Sequence, residues 1–401
     1  MTFKTIRDID VKGKVILLRA DLNVPAKDGV VTDTTRIDRL KDTIDYLVSH
    51  GAKTLVMSHF GRPKGGADPE FSLEFLVPVL QKKWGHDVRF ADDCIGTPAV
   101  TLAGSLKDGQ IGLLENVRFH AGEEKNDPEF VQALSELGDI YVNDAFSSAH
   151  RAHASTEGLA HVMPTAAGFL MEAELNALNA ALEKPERPLA AIVGGAKIST
   201  KLKLLGNLVE KADMLILGGG MANTFLHAQG VDLKSSLCEK DMADQARAIM
   251  AKAKEKGCDI LLPVDGVWSV KFAAGAEHGV CAMNAVPDGT MVLDIGPQSV
   301  AMLKQRLAFA KTIVWNGPLG AFEIAPFDQG TVELAKYVVE RTKVGDVTSV
   351  AGGGDTVAAL EQAGVVEKLT YVSSAGGAFL EWMEGKTLPG VAALTAFKKA
   401  A

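Results

Sequence analysis

The chain has 401 residues, of which 47% are hydrophobic and 23% charged, a composition typical of globular proteins. This length exceeds that of one ordinary hydrophobic core and predicts about two domains. The formal net charge of −8 disfavours nucleic acid or an anionic membrane as the main partner, so an acidic ligand must be bound by local basic side chains.

The cysteines and the N-terminus indicate the compartment. Four cysteines lack the paired short spacing of a zinc site and are sparse for a disulfide framework: Cys94, Cys238, Cys258 and Cys281. The first residues are mixed and charged, unlike a secretion signal, and no apolar run reaches membrane-spanning length. We therefore expect a reduced, cytoplasmic protein without a membrane partner.

The first half alternates short apolar runs with amphipathic stretches, the pattern of a parallel sheet with helices on both faces. Buried strands are predicted at Val15–Leu18, Thr54–Met57, Gly112–Leu114 and Ile140–Val142. One helix is predicted over 35–51, because five apolar side chains share a face and a glycine ends the segment. Arg36 then lies in the first turn, near the edge of the sheet.

A strong helix-forming segment, Met171–Lys184, separates the halves and is ended by Pro185 and Pro188. Two interpretations stay open from composition alone: a rigid strut with a hinge at each end, or an ordinary surface helix.

The second half repeats the alternation. Strands are predicted at Leu189–Val193, Met214–Leu217, Ile260–Pro263, Met291–Ile295, Thr312–Trp315, Ser349–Ala351 and Thr370–Ser373. Nearly every one ends in a glycine, asparagine or aspartate loop. Because ligands of open parallel sheets bind at the carboxyl ends of the strands, these loops predict one functional edge.

Several standard signatures are missing. The sequence has no GxxxxGK[ST] loop and no GxGxxG, so neither a P-loop nucleotidase nor an ordinary dinucleotide-binding domain is supported. It also has no GxSxG elbow and no HExxH helix.

Basic and polar side chains follow the predicted strands of the first half. Asp21 and Asn23 either bind hydroxyl groups of a small acid or form an Asx turn. His59 with Arg62 is a candidate clamp for phosphate or carboxylate, because guanidinium matches these groups with two parallel bonds. Arg118 and Arg151 follow later strands. A single arginine is usually part of a surface ion pair, but several at successive strand ends predict a site for an acidic ligand.

Glycine-rich loops in the second half suggest phosphate binding. In GGGDT, residues 352–356, either free amides at a helix N-terminus face a phosphate while Asp355 holds Mg²⁺, or the loop is a tight turn with Asp355 as a cap. In GGAKISTK, residues 194–201, Lys197 and Lys201 are predicted on one face at a helix start. That placement opposes the helix dipole unless an anion lies between them.

Three other loops give weaker signals. In WNGPLGAFE, residues 315–323, Glu323 either accepts hydrogen bonds from ribose or is merely solvated, and Trp315 is expected in the core. GGGMA from Gly218 and SSAGGA from Ser373 either bind phosphate or allow close helix–sheet packing.

Eight long motifs occur in one order and span nearly the full chain: RADLNVP at 19–25, SHFGRP at 58–63, LLENVRFH at 113–120, DAFSSAHRAHAS at 144–155, GGAKISTK at 194–201, GGGMANTF at 218–225, WNGPLGAFE at 315–323 and GGGDT at 352–356. As a set they resemble the motifs of the phosphoglycerate kinase family. Eight ordered motifs are far more specific than any single glycine loop.

The resemblance implies an α/β fold with two doubly wound parallel-sheet (Rossmann-like) domains joined by a helix. It implies an N-terminal domain at 1–170, a hinge helix at 171–185, a nucleotide-binding domain at 186–387, and a segment 388–401 that returns to the first domain. It further implies a monomeric glycolytic enzyme that transfers a phosphoryl group between 1,3-bisphosphoglycerate and ADP with Mg²⁺, giving 3-phosphoglycerate and ATP.

The resemblance also implies the roles of individual residues. Those that would bind 3-phosphoglycerate are Asp21, Asn23, Arg36, His59, Arg62, Arg118 and Arg151. Those that would bind the nucleotide are Lys201, Gly219, Asn316, Pro318, Glu323, Gly353, Gly354, Asp355 and Thr356. Arg36 and Lys197 would be catalytic, Gly352 and Gly376 would lie at the transferred phosphate, and Asp355 would contact Mg²⁺.

One motif departs from the family pattern. SSAGGA stands where that pattern has STGGGA, with Ser374 and Ala375 as the changed residues. A helix N-terminus is expected to survive, because an alanine methyl leaves the backbone amides unaltered.

Two other functions fit a pair of α/β domains. A nicotinamide-dependent dehydrogenase is disfavoured by the missing GxGxxG. A non-catalytic phosphometabolite receptor of periplasmic type is disfavoured by the missing signal peptide and by the lysines of GGAKISTK.

Overall fold

The structure is a computed structural model that describes residues 3–64 and 66–395. The described chain forms two compact units: residues up to Leu175 together with those from Thr387 form the first, and Asn176–Lys386 form the second. The domain boundaries at 170, 185 and 387 stay predictions.

The first unit is built on a six-stranded parallel sheet with the spatial order β5-β6-β4-β1-β7-β8, and β2 and β3 form a separate antiparallel hairpin. Its strands are β1 Val15–Arg19, β2 Ala26–Lys27, β3 Val30–Val31, β4 Lys53–Met57, β5 Val88–Ala91, β6 Ile111–Leu114, β7 Ile140–Asn143 and β8 Thr165–Ala167. Its helices are α1 Thr35–Arg39, α2 Lys41–Ser49, α3 Val77–Trp84, α4 Gly96–Ser105, α5 Gly122–Lys125, α6 Pro128–Ser135 and α7 Leu159–Val162. Helix α8, Phe169–Leu178, begins in the first unit and ends in the second.

Hydrophobic cores cover both faces of this sheet. Ile16 and Leu18 of β1 join one core, whereas Leu17 between them joins the other. Successive side chains of a strand point to opposite faces, so a strand buried on both sides is a continuous apolar run. This is why four of its strands were predictable from the sequence.

The helix predicted over 35–51 is divided. Its expected apolar face is buried, but α1 ends and α2 begins at Leu40, whose N–H donates to the carbonyls of Ile37 and Asp38. Arg36 lies in the first turn of α1, as predicted.

The helix predicted between the halves is present as α8, which continues into a π-helical turn at Asn179–Glu183. The buried Asp144 holds its start, because the carboxylate accepts hydrogen bonds from the Met171 N–H at 2.9 Å and the Thr43 hydroxyl at 2.7 Å. Burial raises the pKa of Asp144 to about 6, although these hydrogen bonds oppose the shift.

The second unit has a six-stranded parallel sheet with the order β11-β10-β9-β15-β16-β17 and a separate antiparallel sheet with the order β13-β12-β14. Its strands are β9 Leu189–Val193, β10 Met214–Leu217, β11 Asp259–Leu261, β12 Asp265–Ser269, β13 His278–Ala282, β14 Met291–Ile295, β15 Thr312–Asn316, β16 Thr348–Gly352 and β17 Tyr371–Ser373. Its helices are α9 Leu202–Lys211, α10 Gly219–Ala228, α11 Ala243–Lys256, α12 Pro297–Leu307, α13 Gln329–Lys343, α14 Gly354–Gln362 and α15 Gly376–Met383.

Met291–Ile295 is a strand, but its predicted place in the parallel sheet is wrong. It pairs antiparallel with β12, because an apolar run gives no information about the direction or partner of a strand. In the parallel sheet the chain order is 3-2-1-4-5-6, so the order reverses between β9 and β15. Ligands of doubly wound sheets bind at this switch point.

The chain returns to the first unit through helix α16, Pro389–Ala393. The Gly390 N–H donates to the Ala149 carbonyl at 2.9 Å, and Ala393 joins a core of that unit. The rest of the segment 388–401 that was predicted to return, residues 396–401, lies outside the described residues.

Within 3–64 and 66–395, no helix combines the length and the apolar character needed to cross a membrane.

Candidate active site

The polar residues of the first unit follow four neighbouring strands. Asp21 and Asn23 come after β1, His59 and Arg62 after β4, Arg118 after β6 and Arg151 after β7. Because the carboxyl ends of parallel strands meet at one edge of the sheet, the fold brings these motifs to the same edge. We call these six residues, together with Arg36, the basic edge.

Asp21 organises the centre of the basic edge. It forms an ion pair with Arg36 at 2.9 Å, and Arg36 Nη1 also donates to the Asn23 carbonyl at 2.8 Å. Asp21 Oδ1 accepts the Asn23 N–H at 3.1 Å, so the Asx turn is present alongside the ion pair. Ser147 donates to the second carboxylate oxygen. The guanidinium of Arg36 is therefore held in place while its side chain stays 34% exposed.

Arginines with different exposure surround this centre. Arg118 donates to the Gly61 carbonyl at 2.8 Å and lies 3.3 Å from Glu124, and burial lowers its pKa. Arg62 and Arg151 are exposed, and among the described residues no hydrogen bond or ion pair is found for either guanidinium. Both side chains are therefore accessible to a ligand.

Arg19, the last residue of β1, was missed as a site residue. It is 1% exposed, and its Nε donates to the Ser155 hydroxyl at 2.8 Å while Nη2 lies 3.0 Å from His59 Nδ1. The Ser155 hydroxyl donates in turn to Glu123 Oε1 at 2.6 Å. The signal was the charge at the end of an apolar strand, since a buried arginine requires acceptors around it.

The clamp predicted for His59 and Arg62 stays a prediction, and in the structure the contact of His59 is with Arg19. Its ring is buried and contacts Arg19, and burial together with the charges of Arg19 and Arg118 holds its pKa well below the usual value. The ring is therefore neutral near pH 7, and its Nδ1 is oriented as an acceptor toward the Arg19 guanidinium.

His153 is a second buried histidine at this edge. Burial, followed by the charge of Arg118, lowers the pKa of its ring from the usual value near 6.5 to about 4. Glu123 lies 3.9 Å from its Nδ1. The ring is neutral at pH 7.

We predict that His153→Gln weakens the pH dependence of stability. Between about pH 6.5 and 4 the unfolded chain binds a proton that the folded ring does not, so acidification lowers the unfolding free energy of the wild type through this group, by an amount on the order of 1 kcal/mol once solvent screening is included. In the variant, the fall in unfolding free energy between pH 7 and about pH 5 should be smaller, as measured by urea titration. His278→Gln, at an exposed position, is the matched control. An equal fall in variant and wild type would contradict the assignment.

The glycine-rich loops of the second unit also lie at one edge. They follow β9, β10, β15, β16 and β17 directly, and the loops after β9 and β15 occupy the switch point of the sheet. We call them the glycine edge.

Lys197 and Lys201 do not share a helix face, so that prediction is wrong. Helix α9 begins only at Leu202; Lys201 is its N-cap residue and Lys197 lies in the preceding loop. Gly195, at the start of this loop, adopts φ +135°, which favours glycine.

Lys201 is held beneath the loops. Its ammonium donates to the Gly194 carbonyl at 2.8 Å and to Asn316 Oδ1 at 2.7 Å. Burial lowers its pKa to about 8, although the carboxylate of Asp355 acts in the opposite direction. An anion at this edge would favour the charged form.

Asn316, at the end of β15, joins two loops. Its side chain is 4% exposed, accepts from Lys201 and donates to the Gly352 carbonyl at 2.8 Å. It therefore fixes the positions of the groups around it.

We predict that Asn316→Ala lowers the free energy of unfolding by about 2 kcal/mol, because the half-buried ammonium of Lys201 and the carbonyl of Gly352 each lose a partner. Urea titration would measure the loss, with Asn284→Ala at an exposed position as the control. A loss no larger than that of the control would show that the bridge contributes nothing.

The GGGDT loop turns β16 directly into α14. Gly353 has φ +101°, and a Cβ there would lie 2.6 Å from Asn316 Nδ2, so both backbone and space require glycine. Thr356 Oγ1 accepts the Gly317 N–H at 2.7 Å and donates to the Gly352 carbonyl at 2.9 Å. Asp355 is not the cap: the N-cap is Gly353, and the Asp355 side chain is exposed.

The N-termini of α14 and α15 converge. A Cβ built on Gly376, the first residue of α15, would lie 3.9 Å from the Gly354 backbone nitrogen and would meet nothing closer, while one built on Gly354 would enter open space. Helix N-termini present unpaired N–H groups and partial positive charge. Two of them around an open space form a site for an anion such as phosphate. Because α15 begins directly after Ala375, the SSAGGA departure leaves its N-terminus intact, as predicted.

Close packing explains the remaining glycine-edge residues. The Gly219 N–H donates to the Leu319 carbonyl at 2.9 Å, and a Cβ on Gly219 would lie 2.7 Å from the Gly195 carbonyl oxygen. Pro318 is buried against Gly194, and Trp315 is in the core, as expected.

Among the described residues, no interaction is found that connects Glu323 to the glycine edge. It lies in an exposed turn after the WNGPLG segment. Its proposed role with ribose stays a prediction.

Comparison with known proteins decides the family. The model of the family described as phosphoglycerate kinase matches residues 6–386. The chain belongs to the phosphoglycerate kinase family. It is 61% identical over 99% of its length to the phosphoglycerate kinase of Rhodospirillum centenum, of which it covers 100%. It is 59% identical over 98% of its length to that of Rhizobium meliloti, of which it covers 98%.

Solved structures of this family share the fold. The phosphoglycerate kinase of Coxiella burnetii superposes with a TM-score of 0.92 at 42% identity, covering 98% of this chain and 99% of that one. That of Pyrococcus horikoshii gives a TM-score of 0.82 at 31% identity, with 98% of each chain covered. The predicted α/β fold with two parallel sheets is confirmed. The family defines the enzyme as a glycolytic ATP:3-phospho-D-glycerate 1-phosphotransferase.

Proposed function

We propose that this enzyme transfers the acyl phosphate of 1,3-bisphosphoglycerate to ADP directly, with Mg²⁺, as a cytoplasmic monomer, and that the reaction is reversible. The observation that carries the proposal is the convergence of the α14 and α15 N-termini at the glycine edge. Unpaired amides around an open space are suited to a phosphoryl group whose charge is spread over three oxygens.

The basic edge is proposed to bind 3-phosphoglycerate. Its carboxylate and phosphate are matched by the arginines Arg36, Arg62, Arg118 and Arg151, and its hydroxyl by Asp21 and Asn23. His59 is neutral and buried beside Arg19, so we assign to it a hydrogen bond rather than an ion pair. Burial lowers the pKa of Arg118, and the positive charges of Arg19 and Arg151 lower it further. The negative charge of the ligand offsets this repulsion between the arginines.

The glycine edge is proposed to bind the nucleotide, with Lys201 and the 353–356 loop at its phosphates. Gly219, Asn316 and Pro318 shape the adjoining backbone, and Glu323 would accept hydrogen bonds from ribose. Packing already accounts for Gly219, Asn316 and Pro318 in the structure. Their contribution is therefore to position the backbone that contacts the ligand.

Asp355 fits a magnesium ligand. Its carboxylate is a hard oxygen donor, is exposed at the first turn of α14, and lies near enough to influence Lys201. Mg²⁺ prefers one or two carboxylates together with phosphate oxygens and water, and when bound it neutralises phosphate charge.

The protein groups then stabilise the transferred phosphoryl group. Arg36 and Lys197 supply positive charge, and the amides at Gly352 and Gly376 supply hydrogen bonds. Phosphoryl transfer of this kind depends on positioning and electrostatic stabilisation, so a protein nucleophile is not required.

We predict that the enzyme becomes more compact when both substrates are bound. Substrates held by different units react only when those units close, and closure excludes water that would hydrolyse the acyl phosphate. Helix α8 and its flanks would form part of the hinge. Small-angle scattering should give a smaller radius of gyration with both substrates than with either one alone. An unchanged radius would remove closure from the mechanism.

The proposed reaction is tested by ADP formation from 3-phosphoglycerate and magnesium ATP, with a coupled step that removes 1,3-bisphosphoglycerate. We expect turnover that requires both substrates and stops with EDTA. Binding of 3-phosphoglycerate without turnover in a folded sample would favour a receptor instead.

A further inference from the structure

Three potential metal ligands meet on the first unit, outside the residues assigned to the reaction. Asp93 and Cys94 follow β5, and His120 follows β6. These strands are neighbours in the sheet, so their carboxyl-end loops lie side by side. One ligand atom from each residue lies within 4.8 Å of the others.

Two of the ligands are held in position and remain accessible. Asp93 Oδ1 accepts the Cys94 N–H at 2.6 Å and lies 2.7 Å from His120 Nε2. The His120 ring stacks on Phe130 with centroids 5.2 Å apart. The side chains of His120 and Asp93 are 30% and 39% exposed, so an ion can reach them from solvent.

The third ligand, Cys94, is buried in one of the hydrophobic cores of the first unit, beside Asp93. The charged groups that act on its sulfur are Asp93, Glu123 and Glu115, all of them carboxylates. These carboxylates favour a cation at the site, and a cysteine that binds a metal ion does so as the thiolate, with its proton released to solvent.

We propose that Asp93, Cys94 and His120 form a binding site for a divalent cation of borderline softness, of which Zn²⁺ is the type. One sulfur, one imidazole nitrogen and one carboxylate oxygen suit this class, with water as the fourth ligand, whereas Mg²⁺ avoids thiolate. Ligands of tetrahedral zinc lie about 3.4 Å apart. Asp93 Oδ1 and His120 Nε2 are closer than this, at 2.7 Å, and all three ligand atoms lie within 4.8 Å of one another, so small side-chain shifts suffice.

The site shares no residue with those assigned to phosphoryl transfer, and Asp355 lies in the other unit. Its expected effect is on the stability of the first unit, because the ion would connect the loops after β5 and β6. A ligand that binds only the folded state raises stability in proportion to the logarithm of its concentration.

The first test uses Co²⁺ as a spectroscopic probe on the full-length enzyme after EDTA treatment and dialysis. We expect one equivalent to give a thiolate-to-cobalt charge-transfer band that Zn²⁺ abolishes by displacement. The band should be lost in Cys94→Ala and kept in Cys258→Ala, which removes another buried free cysteine. A wild type without the band, or a Cys94→Ala protein that keeps it, would overturn the proposal.

The second test remains informative if Cys94→Ala does not fold. Zn²⁺ should raise the Tm of the wild type, and His120→Gln should reduce its affinity for Zn²⁺ at least about tenfold, as measured by competition with a chromophoric chelator. An unchanged Tm in the wild type, or equal affinity in His120→Gln, would show that these residues bind no ion.

Discussion

Arg36→Ala is expected to lower kcat by about 10²–10³-fold while the affinity for ATP stays within about twofold of the wild type, since a lost charge-stabilising donor acts on the transition state. The side chain is fixed by the ion pair with Asp21 and by the Asn23 carbonyl, so its position does not depend on the nucleotide. Steady-state kinetics and nucleotide titration measure the two effects separately.

The control for Arg36→Ala is Arg89→Ala. Arg89 is exposed and lies on β5 of the same unit. Its replacement by alanine changes the net charge of the protein by the same amount. If both variants lose the same activity, Arg36 acts only through net charge. If Arg36→Ala weakens ATP binding as much as turnover, the residue has been assigned to the wrong substrate.

The fold was predictable where burial alone decides the structure. β1 and β9 are apolar runs covered on both faces, and a run of this kind has few alternatives to a central parallel strand. β14 is apolar too, but its partner and direction depend on residues far away in sequence. Strands β12 and β13 were not predicted. β13 has no buried apolar run, since it alternates between exposed and half-buried residues at the surface.

The sequence predicted which loops form the site, but it did not predict the contacts between their side chains. The positions after the strands were correct for Asp21 and Arg118, because the strands themselves were correct. The contact of His59 with Arg19 was not predicted, since it joins residues that follow or end neighbouring strands. The sequence also did not predict that Asp93, Cys94 and His120 lie close together, because nothing in their spacing indicates that β5 and β6 are neighbours.

The structure distinguishes Lys197 from Lys201 at the glycine edge, whereas their spacing in the sequence did not. Lys201 is half-buried with two close acceptors, so its removal would disturb both nucleotide binding and the loops around it. The loop that carries Lys197 is fixed instead by Ser199, which donates to Glu239 through its N–H at 3.0 Å and its hydroxyl at 2.6 Å. Lys197 itself is exposed, at the end of a positioned loop.

Lys197→Ala is therefore expected to lower kcat by about 10²-fold or more, with little change in ATP affinity or in unfolding free energy, because the ammonium stabilises charge only during transfer. Lys203→Ala, which removes an exposed lysine from α9, is the matched control and should retain wild-type kinetics. The comparison with Lys201→Ala is sharper still, since that variant should weaken ATP binding and lower stability together. If Lys197→Ala instead behaves like Lys201→Ala, Lys197 binds the nucleotide in the ground state; if it behaves like Lys203→Ala, Lys197 takes no part in the transfer.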